Sequence, residues 1–116
     1  MRVHNLTPHT VTLQLADGTR HDLPAEAPTP RCTVDRRPLA PLVTEWGPIP
    51  VTSTSLLPEV TDLPDAEPDT VLIVARPVAE ARPGRADLYV PDDLVRDPDT
   101  GRVIACRSLA RLSTVR

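Results

Sequence analysis

The chain contains no phenylalanine, and Trp46 and Tyr89 are its only aromatic side chains besides histidine. Large rings therefore contribute little to burial, and the core must be assembled from Leu, Val, Ile and Ala. Each of these removes a smaller apolar area from water than an aromatic ring does. A core of many small contributions gains from contacts between subunits, so we expect a homo-oligomer.

Long hydrophobic runs are also missing. No segment approaches the roughly 18 to 20 apolar residues that a membrane-spanning helix needs. The N-terminus has neither the basic region nor the apolar stretch of a signal peptide. These absences predict a cytoplasmic protein without membrane contact. In a reducing compartment the two cysteines, Cys32 and Cys106, are expected to be buried thiols rather than a disulfide.

Glycine is scarce and scattered, with four residues at positions 18, 47, 84 and 101. Phosphate-binding loops need grouped glycines, because only these let the backbone approach a phosphate closely. The spacing therefore excludes phosphate-binding loops and the dinucleotide-binding folds that carry hydride transfer, and we expect no cofactor.

Lysine is absent, so all 13 cationic side chains are arginines. The formal net charge of −3 argues against binding a nucleic acid polymer, whose backbone contacts need a basic surface. The codon usage of a GC-rich genome explains the missing lysines. The alternative is functional, since the planar guanidinium binds carboxylate or phosphate through two parallel hydrogen bonds.

Fifteen prolines occur between Pro8 and Pro98 and exclude long helices, because each removes a backbone donor and disfavours helix at the preceding residue. The length predicts a single domain, residues 1–116, since either half would be too small to bury an adequate core. We predict an α+β, mostly β fold: a small antiparallel or mixed sheet with one short helix.

Alternation of apolar and polar residues predicts most of the strands. Asp17-Gly18 is a strong hairpin signal between two such segments. The run TVLIV at residues 70–74 predicts a central strand, and Pro77 suits the first turn of a helix at residues 77–82. The predicted strands are 2–6, 9–15, 19–23, 31–34, 42–46, 51–57, 70–74, 88–90 and 102–109. Turns or irregular segments are predicted at 35–41, 47–50, 58–69, 91–95 (with a brief helical turn) and 97–101.

The NLTPH segment at residues 5–9 has two interpretations. Asn5 and Thr7 can bond nearby backbone and Pro8 can fix the bend, so a purely structural turn explains every residue. Alternatively, Asn5, Thr7 and His9 form a rim of donors and acceptors for a small polar ligand.

Several segments together resemble a family of small, uncharacterised proteins of actinobacteria and bacteriophages that carry an N-terminal NLTPH motif. They are NLTPH itself, LIVAR at 72–76 followed by VAEA at 78–81, RADL at 85–88, and the ending VRD at 95–97 with GRVIACR at 101–107. The resemblance leaves residues 24–69 weakly matched. It implies a common fold and no particular activity, and phage membership would suit a role in defence or counter-defence.

Catalytic and metal chemistry find little support in the sequence. His4, His9 and His21 fall on one predicted hairpin, but no pair has the spacing of a known metal motif, so we expect no metal. Cys106 lies within a predicted strand, where a buried and inert thiol is expected. We assign no catalytic residue.

The arginines form the remaining constellation. Arg76 follows the predicted central strand, and Arg85 and Arg107 lie in the later segments; they either pair with nearby carboxylates as surface networks or bind an anion. Our hypothesis is a non-enzymatic protein that captures a small anionic, nucleotide-like molecule through Asn5, Thr7, His9, Arg76, Arg85 and Arg107. The first alternative is a structural or protein-interaction module. A further alternative is a small hydrolase that uses His9 with Asp87 or Glu80.

Overall fold

The computed structural model describes residues 1–112, apart from the side chains of residues 56–58. It is mostly β with one short helix, as predicted. The elements in chain order are β1 (Arg2–Asn5), β2 (Val11–Gln14), β3 (Arg20–Leu23), β4 (Arg31–Thr44), β5 (Gly47–Thr61), β6 (Thr70–Ile73), α1 (Arg76–Ala81), β7 (Leu88–Arg96) and β8 (Val103–Ala110).

Six strands form a mixed sheet in the order β1-β6-β7-β8-β2-β3. The strands β1, β6 and β7 run parallel, whereas β7 with β8 and β2 with β3 are antiparallel. The TVLIV strand lies between β1 and β7, as predicted for a central strand, and Leu72, Ile73 and Val74 are buried. Its β-branched and aliphatic residues suit a strand covered on both faces.

Helix α1 connects β6 to the parallel strand β7 and covers the core. Pro77 stands in its first turn, where the missing N–H group leaves no hydrogen bond unmade. The helix buries Val78 and Ala79 against Leu72, Val74 and their neighbours. The helix predicted at residues 77–82 is therefore confirmed.

The hairpin predicted at Asp17-Gly18 is also confirmed. Leu15 N–H donates to the Thr19 carbonyl at 2.8 Å, and Gly18 N–H donates to the Leu15 carbonyl at 2.9 Å. Gly18 has a φ of 88°, a conformation that a side chain disfavours. Thr19 N–H donates to Asp17 Oδ1 at 2.9 Å, and this side-chain hydrogen bond further stabilises the turn.

The middle of the chain differs from the prediction. Strands β4 and β5 form a two-stranded antiparallel ribbon, here called the arm (residues 31–61), and its turn lies at residues 45–46 rather than 47–50. Residues 35–41 and 58–61 are strand rather than irregular chain. A ribbon of two strands leaves an outer edge on each, so a proline there need not remove a hydrogen bond between strands. The prolines of this segment therefore do not interrupt the strands.

Residues 91–95 provide the second correction, because β7 continues through them instead of turning. Its residues 90–96 pair with the whole of β8, from Val90 opposite Ala110 to Arg96 opposite Val103. Pairing along a complete strand outweighs the local turn preference of Pro91 and the aspartates. The turn predicted at 97–101 is present, with Gly101 N–H donating to the Asp97 carbonyl at 2.8 Å.

The molecule is extended for its size. Its radius of gyration is 17.9 Å, against about 13.4 Å for a compact chain of this length. Its accessible surface is 8417 Å², against roughly 6,200 Å² for a monomer of this mass. The protruding arm accounts for this shape. No helix in the described part of the chain is long and apolar enough to cross a membrane.

Candidate functional site

The NLTPH segment forms a closed turn at the carboxyl end of β1. Asn5 is the last residue of β1 and is completely buried. Its Nδ2 donates to the carbonyl oxygens of His9 and Leu23, both at 2.8 Å. Its Oδ1 accepts from the Thr7 backbone N–H at 3.0 Å and lies 2.6 Å from the Thr7 hydroxyl. Every polar atom of the Asn5 side chain is thus held by the protein.

Thr7 and His9 complete the turn in different ways. The Thr7 hydroxyl lies 2.9 Å from the His9 carbonyl as well as beside Asn5, so its single proton has two acceptors within reach. The side chain of Thr7 is buried, whereas His9 contributes its backbone and leaves its ring exposed. This arrangement matches the structural interpretation of the motif. A ligand at Asn5 or Thr7 would first have to replace these hydrogen bonds.

The arginines of the candidate ligand site each pair with a carboxylate. Arg76 Nε lies 3.0 Å from Glu80 one helical turn along. Arg107 Nη1 lies 3.5 Å from Asp93 on the neighbouring strand. Arg85 binds Asp87 through two parallel hydrogen bonds, Nε to Oδ1 at 2.8 Å and Nη2 to Oδ2 at 2.9 Å.

The sheet topology also separates these arginines. Arg76 follows β6 and therefore lies at the carboxyl ends of the parallel strands, where the NLTPH turn also follows β1. Arg85 precedes β7, which is parallel to β6, and so lies at the amino ends of these strands. Arg107 lies within β8, facing the second half of β7. The six residues are thus spread over three places.

The described residues outside the arm are here called the body. The ion pair of Arg85 and Asp87 is the best-defined charged contact on the body. Both side chains are largely covered. The hydrogen bond from Arg85 holds the pKa of Asp87 below its ordinary value, against the opposing effect of burial. Arg85 Nη2 also donates to the Pro64 carbonyl at 2.9 Å. Arg85 therefore links the segment before β6, at Pro64, to Asp87 at the start of β7.

A cavity of about 200 Å³ lies beside this ion pair. Leu6, Leu72 and two prolines supply apolar walls, and Glu26, Asp65, Glu67 and Asp87 supply carboxylates. At its rim His4 Nδ1 lies 3.0 Å from Glu26 Oε1, and Glu26 Oε2 accepts from the Asn5 backbone N–H at 3.1 Å. A cavity with this lining repels anions and favours a neutral or cationic molecule.

Metal-binding and nucleophilic groups give no further site within residues 1–112. No group of three or more His, Cys, Asp or Glu side chains there is placed to hold a metal ion. Cys106 is a buried free thiol, and burial raises its pKa, which disfavours the reactive thiolate. Cys32 is also a free thiol, half-buried at the base of the arm.

The arm carries the most conspicuous surface of the molecule. Eleven large apolar side chains of the described chain are exposed, and six of them lie on the arm: Val34, Leu39, Leu42, Val43, Trp46 and Ile49. Trp46 at the turn is 83% exposed and Val43 is 89% exposed. Soluble monomers rarely leave so many apolar side chains together in water, and such patches mark interaction surfaces.

The strand register places four of the aliphatic residues on one face. Leu39 pairs with Val51 and Leu42 with Ile49, and directly opposite residues share a face. Ile49 and Val51 are two residues apart and share it too. An extra residue between Leu39 and Leu42, a β-bulge, brings both leucines onto that face despite their spacing of three. We call Leu39, Leu42, Ile49 and Val51 the arm patch.

Sequence reasoning missed this surface although part of the signal is visible. Residues 48–53 alternate at strand spacing, with Ile49, Val51 and Ser53 on one face. This alternation predicts a strand if proline is accepted in an edge strand. The bulge breaks the corresponding alternation in β4, which hides the pairing.

No family model, curated protein or solved structure is similar to this chain at a significant level.

Proposed function

We propose that this protein is a non-enzymatic interaction module that binds a protein partner through its arm. The observation that carries the proposal is the concentration of exposed apolar side chains on residues 34–49. Mutual burial of such side chains is the main favourable term in most protein association. This corresponds to the structural or interaction alternative rather than to capture of a small anion.

The mode of binding follows from the prolines. The arm contains Pro38, Pro41, Pro48, Pro50 and Pro58, and proline blunts a strand edge because it has no N–H group to offer. Addition of a further strand along either edge is therefore disfavoured. The partner recognises the side chains of the arm patch and the turn instead.

Polar and charged residues lie beside this apolar centre and on the face behind it. Thr52 and Thr54 pair with Pro38 and Arg36 and lie on the face opposite the arm patch. Arg37 forms an ion pair with Asp35 at 3.1 Å, next to the patch on the side of the arm base. An apolar centre with a polar, solvated rim is the usual anatomy of a protein interface.

Site-specific photo-crosslinking in the native host tests the proposal. A benzophenone amino acid at position 46 should give one discrete covalent adduct, and the same group at the exposed body position Asp99 should give none. The double substitution Leu42→Ser with Ile49→Ser should abolish the adduct. The matched pair Thr52→Ala with Thr54→Ala, on the opposite face, should leave it intact. Equal labelling from positions 46 and 99 would contradict the proposal.

A small-molecule function has one observation in its favour, the acidic cavity beside Asp87. It supports a neutral or cationic ligand better than the anionic one expected from the arginines. A thermal-shift comparison of spermidine with ATP separates the two charges, because a ligand at a hundred times its dissociation constant stabilises the fold by about 2.7 kcal/mol. Stabilisation by ATP alone would favour the anion.

A further inference from the structure

We infer that the partner of the arm is a second copy of this chain, and that the arm docks into an apolar groove on the body of that copy. The inference rests on the proposed function and names its partner. The groove lies where β2, β8 and β7 meet. Its lining is apolar or neutral and includes Val11, Leu94, Val103, Ile104 and Ala105.

The groove arises from the way the sheet is joined. Strands β2 and β8 pair in parallel at Leu13 and Cys106. Away from that point, Val11 and Thr12 face Ile104 and Ala105 across a gap rather than through paired backbone. The result is a cavity of about 110 Å³. A cavity of about 150 Å³ in a protein holds a benzene ring, so this smaller groove suits one aliphatic side chain of the arm patch.

The exposed apolar residues of the chain divide between these two surfaces. Apart from Met1 and Leu15, every exposed large apolar side chain in the described residues lies on the arm or in the groove. The groove contains three of them, Leu94, Val103 and Ile104. A foreign partner on the arm would leave the groove in water. In a two-fold dimer each arm fills the groove of the other copy, so two reciprocal contacts cover both surfaces of both chains.

Charge does not oppose this contact. No residue that lines the groove is charged, and neither is any residue of the arm patch. The centre of the contact therefore buries no charged side chain, which would carry a large desolvation cost. Depletion of charge at the centre is characteristic of stable interfaces.

The surface area is sufficient for a stable assembly. The chain exposes 8417 Å², about 2,200 Å² more than a compact monomer of its mass. A standard interface buries about 800 Å² per partner, and obligate interfaces bury more. The excess is larger than one partner's share of a standard interface, so burial of part of it between two copies would bring the exposed surface toward that of a compact protein.

Light scattering on the purified full chain gives the first test. At micromolar concentration we expect a mass of two or more chains. Leu42→Ser on the arm and Ile104→Ser in the groove should each raise the dissociation constant about tenfold or more, because each removes a buried aliphatic side chain. Thr54→Ala is the control and should have no effect. A monomer at all micromolar concentrations would overturn the inference.

Cross-linking distinguishes the groove from contact between two arms. In a Cys32→Ser, Cys106→Ala background, verified to fold by its cooperative melting, one sample carries Trp46→Cys and another carries Ile104→Cys. A short bismaleimide should join the two variants when mixed. Linkage of Trp46→Cys to itself, with none to Ile104→Cys, would overturn the groove as the docking site.

The two proposals fail separately. If position 46 gives an adduct in the host whose mass differs from twice that of the chain, while the purified protein is a monomer, the arm still binds a partner and the second copy is excluded. If position 46 gives no adduct and the protein is a monomer, both proposals fail.

Discussion

Asn5 and Thr7 are joined twice, because Asn5 Oδ1 accepts from the Thr7 backbone N–H at 3.0 Å and lies 2.6 Å from the Thr7 hydroxyl. Both residues are buried, and the Asn5 amide also spans to the carbonyls of His9 and Leu23. This network ties the end of β1 to the start of β2 and the end of β3. The motif therefore links β1 by hydrogen bonds to β2 and β3, which lie at the other end of the sheet order.

Removal of this network should destabilise the fold. Asn5→Ala leaves the buried Thr7 N–H group and two partly buried carbonyls without their partner, and an unsatisfied buried group costs about 1–3 kcal/mol. We expect a loss of about 3 kcal/mol in the free energy of unfolding, measured by urea denaturation. Thr7→Ser keeps the hydroxyl and should cost much less than the isosteric Thr7→Val. Equal losses for these two variants would show that the hydroxyl contributes nothing.

The ion pair of Arg85 and Asp87 predicts a pH dependence with a definite sign. The folded-state pKa of Asp87 is lowered, chiefly by its hydrogen bond from Arg85. Its contribution is therefore fully present above the unfolded-state pKa of about 3.9 and is lost as the pH falls through the lower folded-state pKa.

Asp87→Asn should lower the free energy of unfolding by about 1–3 kcal/mol at pH 7. The difference from wild type should begin to shrink below about pH 4, where the Asp87 carboxylate of the unfolded chain becomes protonated, and should shrink further as the pH falls toward the lower folded-state pKa. Urea unfolding at pH 7 and pH 3 measures both values. Glu59→Gln, at an exposed carboxylate, is the control and should differ little at either pH. A difference that persists unchanged at pH 3 would assign the effect to packing instead of charge.

Two glycines offer a matched test of backbone conformation. Gly18 has a φ of 88°, in the left-handed region that favours glycine, whereas the φ of Gly84 lies outside that region. At both sites an added Cβ would meet no atom within 4 Å. Gly18→Ala should cost about 1 kcal/mol through backbone strain alone. Gly84→Ala should be neutral or stabilise by up to about 1 kcal/mol, because it restricts the unfolded chain. Thermal melting of both variants checks this, and a loss at Gly84 equal to that at Gly18 would refute the explanation.

The buried thiol of Cys106 should resist modification. Burial raises its pKa and blocks access, and the thiolate is the reactive form. In a Cys32→Ser variant, which leaves Cys106 as the remaining thiol, we expect Ellman's reagent to react on the order of a hundredfold more slowly in the native protein than in urea. Fast native reaction would mean that β8 opens readily.

The local segments of the fold were predictable because their signals are local. Asp17-Gly18 supplies the φ > 0 position that its turn needs, and TVLIV has the composition of a buried strand whatever its neighbours are. Pro77 likewise favours a helix start. The candidate ligand residues were less predictable, because a sequence shows which arginines exist but not which carboxylate each one meets. Asp87 lies two residues from Arg85, whereas Asp93 reaches Arg107 only across a strand pair.

By itself the sequence determined the mostly β character, the Asp17-Gly18 hairpin, the central strand and the short helix, because each depends on residues that are neighbours in the chain. Only the tertiary structure decided that five prolines lie in a continuous two-stranded arm, that the arm patch gathers on one face, and that NLTPH is closed by the Leu23 carbonyl. These features depend on pairing between segments far apart in sequence. Pairing along a whole strand outweighs the preference of any single proline or aspartate, and no local pattern records which segment the partner will be.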